Sequence, residues 1–222
     1  NGTANSAGHV RIYQNTGLNG DWTQVGADID GEAQNDMSGF SVSLSSDGSV
    51  VAIGAISNGG NGSGAGHVRV YQNVGGTWVQ VGADIDGDAM HDNSGQSVSL
   101  SSDGSVVAIG ARYNQGGNGT NSGHVRVYQN DSGTWTQVGS DIDGEAMYDG
   151  SGFSVSLSSD GSVVAIGAPY NNNGNGNVSG HVRIYENVSG TWTQVGADID
   201  GEATYDQSGI SVSLSSDGSV VA

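Results

Sequence analysis

The chain contains no lysine, and its five arginines stand against 23 acidic residues, giving a formal net charge of −18. Nucleic acid and anionic bilayers are bound through Lys/Arg-rich surfaces, so nucleic acid is excluded as a partner. Cysteine is also absent. Disulfides and thiol chemistry are therefore excluded, and the redox compartment cannot be read from cysteine usage. No apolar run approaches the length of a membrane span, which excludes membrane insertion by a helix. There is one proline, Pro169, and no window of ten residues carries helical periodicity. The partners left open are cations, neutral glycans and basic proteins.

What is abundant is glycine, with 40 residues, and repetition. GHVRIYQN from Gly8 returns as GHVRVYQN from Gly66 and Gly123 and as GHVRIYEN from Gly180. The segments W-x-Q-V-G, DIDG and S-V-S-L-S-S-D-G recur in the same order. A fixed period of this size marks a repeat architecture, in which each unit buries its faces against its neighbours. One domain is expected over residues 1–222, with repeats at about 8–65, 66–122, 123–179 and 180–222.

Each repeat reads as four short strands. In the unit from Gly39, they are Phe40 to Ser45, Val50 to Ala55, His67 to Gln72 and Trp78 to Ile85. The first two are joined by Ser46-Asp47-Gly48-Ser49, a turn sequence that supplies the positive φ a tight hairpin needs. Four-stranded antiparallel packets in series predict an all-β fold, a β-propeller. The chain opens on strands three and four and closes on strands one and two. This fits a four-bladed ring with a split closing blade, or part of a larger propeller. A chain that starts in a loop, shows no signal peptide and stops inside a strand reads as a mature or excised piece of a longer protein.

Gly152-Phe153-Ser154-Val155, then Gly167-Ala168-Pro169, then Gly180-His181-Val182-Arg183-Ile184-Tyr185 resembles the FG-GAP repeat of integrin alpha-chain propellers. The chain departs from that pattern in having Ser38, Ser94, Ser151 and Ser208 before the glycine, and only one complete Gly-Ala-Pro. The family's calcium loop between strands one and two is replaced by Ser-Ser-Asp-Gly, so that metal site does not carry over. The resemblance implies an extracellular adhesion or interaction module.

Sixteen acids fall in the segments between repeats: Asp28, Asp30, Glu32, Asp36, Asp84, Asp86, Asp88, Asp92, Asp141, Asp143, Glu145, Asp149, Asp198, Asp200, Glu202 and Asp206. Their offsets within each segment, 1, 3, 5 and 9, also occur in calcium loops. Glycine stands at the fourth position (Gly31, Gly87, Gly144, Gly201) where such loops place it at the sixth. These acids are the candidate metal ligands, with calcium as the candidate cofactor. In the alternative, the first Asp pairs with Arg11, Arg69, Arg126 or Arg183 and the others cap turns or face solvent.

Glycosylation sequons stand at Asn1, Asn61, Asn118, Asn130, Asn177 and Asn187. His9, His67, His124 and His181 open strand three of each repeat and are assigned a structural hydrogen-bonding role. Trp22, Trp78, Trp135 and Trp192 are assigned to core filling, with sugar stacking as the alternative. No nucleophile-elbow spacing and no phosphate-binding Gly loop is present. A residue repeated four times argues against a single catalytic centre, so no enzyme is expected. The expected role is an extracellular or cell-surface structural module, for adhesion or self-assembly through an acidic Gly/Asn-rich loop face with calcium assistance. Its partners would be a protein or glycan at the cell surface, or further copies in a homo-oligomer or filament. The alternative is a multivalent lectin with one carbohydrate site per blade.

Overall fold

A computed structural model describes residues 5–15, 17 and 20–222 of the chain. All its regular structure is β, and consecutive units repeat one antiparallel plan. The first unit holds short pairs only: β1 (His9–Val10) pairs with β4 (Ile29–Asp30), and β2 (Tyr13–Asn15) with β3 (Trp22–Gln24). The second unit comprises β5 (Ser38–Leu44), β6 (Val50–Ala55), β7 (His67–Val74), β8 (Thr77–Gln80) and β9 (Ile85–Asp86). The third repeats it with β10 (Ser97–Leu100), β11 (Val106–Ala111), β12 (His124–Asp131), β13 (Thr134–Gln137) and β14 (Ile142–Asp143). The fourth is β15 (Ser154–Leu157), β16 (Val163–Ala168), β17 (His181–Val188), β18 (Thr191–Gln194) and β19 (Ile199–Asp200).

The expected fourth strand, Trp78 to Ile85, is broken. Gly82 adopts a left-handed φ of 75° and the chain splits into β8 and β9, both of which pair with β7. At the other edge, a bulge between Ser38 and Ser41 shifts the register of β5 against β6. The expected closing strands near Ile210 and Ser219 make only an isolated bridge, Leu214 to Val221.

Both faces of a blade are apolar, because each is covered by a neighbour. Val50, Ala52, Val68, Val70 and Ile85 of one sheet meet Val98, Leu100, Val107 and Ile109 of the next. Ala108, Val125, Val127 and Ile142 then meet Val155, Leu157, Val164 and Ile166. The serines alternating with Val and Leu stitch successive inner strands together. Ser43 Oγ accepts from Leu100 N, Ser99 Oγ from Leu157 N and Ser156 Oγ from Leu214 N. The tryptophans bridge the outer strands: Nε1 of Trp78, Trp135 and Trp192 donates to the carbonyls of Val25, Val81 and Val138 in the preceding unit, at 2.8 Å each. The core-filling assignment therefore describes these three, whereas Trp22 is 66% exposed.

The glycine of DIDG answers to a close approach. A Cβ on Gly87 would lie 2.2 Å from the Ala65 carbonyl oxygen, and one on Gly144 would lie 2.0 Å from that of Ser122. The segment between repeats is thereby held against the loop that precedes strand three.

Candidate active-site face

Two sets of loops share one face. Gly87 N donates to Gly66 O, His91 N to Ser63 O and Ser94 N to Ala65 O, so the acidic segment 84–95 is zipped to the loop 56–65. The same ladder recurs in the following units, with Gly144 N to Gly123 O and Ser151 N to Ser122 O.

The sixteen acids divide into distinct duties there. The fourth acid of each segment closes a turn: Oδ2 of Asp36, Asp92, Asp149 and Asp206 accepts from the amides of Ala33, Ala89, Ala146 and Ala203. The first acid accepts from a glutamine amide: Asp28 from Gln24, Asp84 from Gln80, Asp141 from Gln137 and Asp198 from Gln194. Arg11 also binds Asp28 at 2.8 Å and holds its carboxyl down to about 2. Asp141 is held well below the usual carboxylate range by His124, then Arg126 and Gln137. The expected pairing of the first acid with its own arginine holds for Arg11 and Arg126. Arg69 and Arg183 instead reach back to the preceding unit. They donate to the carbonyls of Asp30 and Asp143 and lie 3.4 and 3.5 Å from Glu32 and Glu145.

Potential metal ligands assemble across units, not within one acidic segment. Among the described residues the groups are Glu32–His67–Asp84, Asp88–His124–Asp141 and Glu145–His181–Asp198. Each histidine is buried at the start of strand three, with its Nδ1 aimed at the carboxylates. Burial lowers the His67 and His181 pKa values, keeping these imidazoles neutral. Sequence reasoning treated these histidines as structural. The readable signal was register, because His67 lies opposite Asp86, two residues beyond Asp84.

A second site breaks the repeat. Arg112, Tyr113, Asn121, Tyr148, Tyr170 and Asn172 line a cavity of about 290 Å³ on this face. The repeat places Ile56 and Pro169 at the position of Arg112, and Ser57 and Tyr170 at that of Tyr113. The Arg112 guanidinium lies over the Tyr113 ring at 4.3 Å and the Phe153 ring at 5.1 Å. Phe153 in turn meets Tyr170 edge to face, with centroids 5.9 Å apart. Arg11, Arg69, Arg126 and Arg183 all have a carboxylate partner; among the described residues no ion pair involves Arg112. Its Nε is buried without a hydrogen-bond partner. Tyr148, Asn121 and Val178 hold left-handed φ angles of 70°, 54° and 54°, a loop geometry shared by their equivalents Asn35, His91 and Tyr205 and by Ser6 and Gly64 in the other units.

Of the sequons, Asn1 lies outside the described residues. The Asn61 and Asn118 amides donate to the carbonyls of Gly87 and Gly144, and Oδ1 of Asn130 and Asn187 accepts from Gly133 and Gly190. The carbonyl of Asn177 accepts from Tyr205 N.

No family model matches the chain, and no curated protein matches it. Among solved structures it is similar to a Bacteroides uniformis protein described as a "putative 6-phosphogluconolactonase", with a TM-score of 0.61, 14% identity and coverage of 88% of this chain and 49% of that one. A Bacteroides fragilis protein of the same description gives 0.55 at 16% identity, covering 81% of this chain and 42% of that one. The chain thus spans about half the length of these structures or less.

The likeness establishes a β-propeller and does not single out the FG-GAP type. It also corrects the expected role. The adhesion or self-assembly module, the lectin with one site per blade and the expectation of no enzyme give way, because the propellers it matches are described as enzymes. The blades repeat because the core demands it, whereas Arg112 stands at a loop position that holds Ile56 and Pro169 in the neighbouring units.

Proposed function

We propose that this chain forms part of an enzymatic propeller that hydrolyses a small, ring-shaped ester carrying an anionic group, of the sugar-lactone type, in the Arg112 cavity. The observation that carries this reading is Arg112 itself. In a chain of net charge −18 it is the arginine with no carboxylate partner among the described residues, and it faces a tyrosine-lined cavity. A guanidinium in that setting is a planar, permanently charged donor for a phosphoryl or carboxylate group. Tyr113, Tyr148 and Tyr170 offer ring faces, and Asn121 and Asn172 offer amides for hydroxyls. The description of the similar propellers, 6-phosphogluconolactonase, supplies the reaction class: water adds to a lactone carbonyl, the ring ester opens and a hydroxy acid leaves. The likeness to FG-GAP repeats bears on strand order alone.

The test is hydrolysis of 6-phosphogluconolactone above its spontaneous rate, followed as acid release. The expected result is an enzyme-dependent rate that falls at least about tenfold in Arg112→Gln, the loss of one charge-assisted contact. A rate equal to the buffer blank, or unchanged in Arg112→Gln, overturns the proposal.

A further inference from the structure

We infer that the chain holds zinc-type divalent ions between its blades, at Glu32–His67–Asp84 and Glu145–His181–Asp198, and that the equivalent place at His124 is closed by Arg126. Each site takes one carboxylate from one unit and a histidine and second carboxylate from the next.

The histidines are what distinguish these places from ordinary acidic surface. His67 and His181 are each 1% exposed, and their Nδ1 atoms are buried with no hydrogen-bond partner. Both atoms point at carboxylate oxygens: His67 Nδ1 lies 3.4 Å from Asp84 Oδ2, and His181 Nδ1 lies 3.5 Å from Asp198 Oδ2 and 3.9 Å from Glu145 Oε2. These separations are long for a hydrogen bond. The two His–Asp separations match the edge of a tetrahedron about 3.4 Å long, which follows from zinc bonds of about 2.0–2.2 Å to nitrogen and oxygen, and the exposed glutamate closes by a rotamer shift when the ion enters. An imidazole with two carboxylates suits zinc or a neighbouring transition ion, whereas calcium prefers an all-oxygen shell. The carboxylates of Glu32 and Glu145 are 45% exposed, so each site has a path from solvent and room for a water ligand.

The middle cluster differs in one respect. Arg126 donates to both oxygens of Asp141 at 2.9 and 2.7 Å and also binds Asp88, so both carboxylates already serve a guanidinium. Arg69 and Arg183 spend one donor on a backbone carbonyl and stand 3.4 and 3.5 Å from Glu32 and Glu145. This inference does not depend on the Arg112 cavity.

Calorimetric titration of the whole chain with zinc chloride tests it, alongside calcium chloride and thermal melting. The expected result is two zinc ions per chain, no comparable calcium binding, and a melting temperature that climbs with zinc concentration. Glu32→Gln and Glu145→Gln, at exposed positions that leave the fold intact, each remove one ion, as do His67→Gln and His181→Gln. Arg126→Gln opens the third place and raises the count to three; if that variant does not fold by circular dichroism, Arg126→Lys, which frees one carboxylate oxygen pair, is titrated in its place. Zinc binding that is absent, matched by calcium, or unchanged in the Glu and His variants overturns the inference.

Discussion

Single residues here act at close range, and the SSDG turns show it most clearly. Asp47 Oδ1 accepts from Ser49 N, Ser49 Oγ and Ser45 Oγ, and Ser45 Oγ accepts from Val50 N. Those donors hold the Asp47 carboxyl at about 2, the amide of Ser49 contributing most. Asp217 also sits at about 2, led by Ser215, and Asp103 and Asp160 are lowered by the same serines of their own turns. A carboxyl lowered on folding contributes stability that is complete above its unfolded pKa of about 4 and is lost as pH falls through the folded value. The melting temperature should therefore fall modestly below about pH 6.5, where the unfolded chain protonates His67 and His181 more readily than the folded one, and drop further between about pH 4 and 2. Asp103→Asn combined with Asp160→Asn should flatten part of that drop, read by scanning calorimetry across pH. Gly87 illustrates the same short range. Gly87→Ala drives a methyl into the Ala65 carbonyl and should cost about 1–3 kcal/mol, seen as a lower urea midpoint at an unchanged slope.

At the scale of the element, the strands follow from their residues. Val50 to Ala55 was readable as a fully apolar strand between two covered faces, and it is buried along its whole length. His67 and Trp78 begin their strands at or within one residue of where alternation placed them. The break at Gly82 was not legible, because a glycine inside a strand pattern serves equally as a bulge or as a close contact. The alternating serines read in sequence as small residues of crowded inner strands, and their hydrogen bonds to the next blade show only in the stacked fold. Ser99→Ala leaves Leu157 N without its acceptor and should cost about 1 kcal/mol, measured by denaturant unfolding. The acidic segments were legible as a group, but their split among turn closure, glutamine contacts and inter-unit ion pairs depends on neighbours that only the stacked fold supplies. Arg112 is legible in sequence only as a departure from Gly-Ala-Pro, and Tyr113 and Tyr148 recur as Tyr170 and Tyr205, so neither pattern nor composition marks the cavity they line.

In the molecule as a whole, stability follows from blade-on-blade coverage, and coverage is uneven. Val98, Leu100, Val155 and Leu157 are buried by the preceding sheet. The equivalent Val42 and Leu44 are 54% and 49% exposed, so their covering is thinner than in the later blades. Leu100→Ala should therefore cost about 2–5 kcal/mol. Leu44→Ala should stay within about 0.5 kcal/mol of the parent. Equal costs in chemical denaturation would mean that a neighbour covers both positions. The same stacking brings loops of successive blades together around Arg112, at a place no single repeat encodes.

We propose that this cavity takes an anionic, ring-shaped molecule through Arg112. Calorimetric titration with 6-phosphogluconate, the hydroxy acid that lactone opening would release, tests it most directly. The expected result is one binding event per chain, lost in Arg112→Gln and weakened in Tyr148→Ala, with both variants folded by circular dichroism. Absence of binding, or binding that survives Arg112→Gln undiminished, would contradict it.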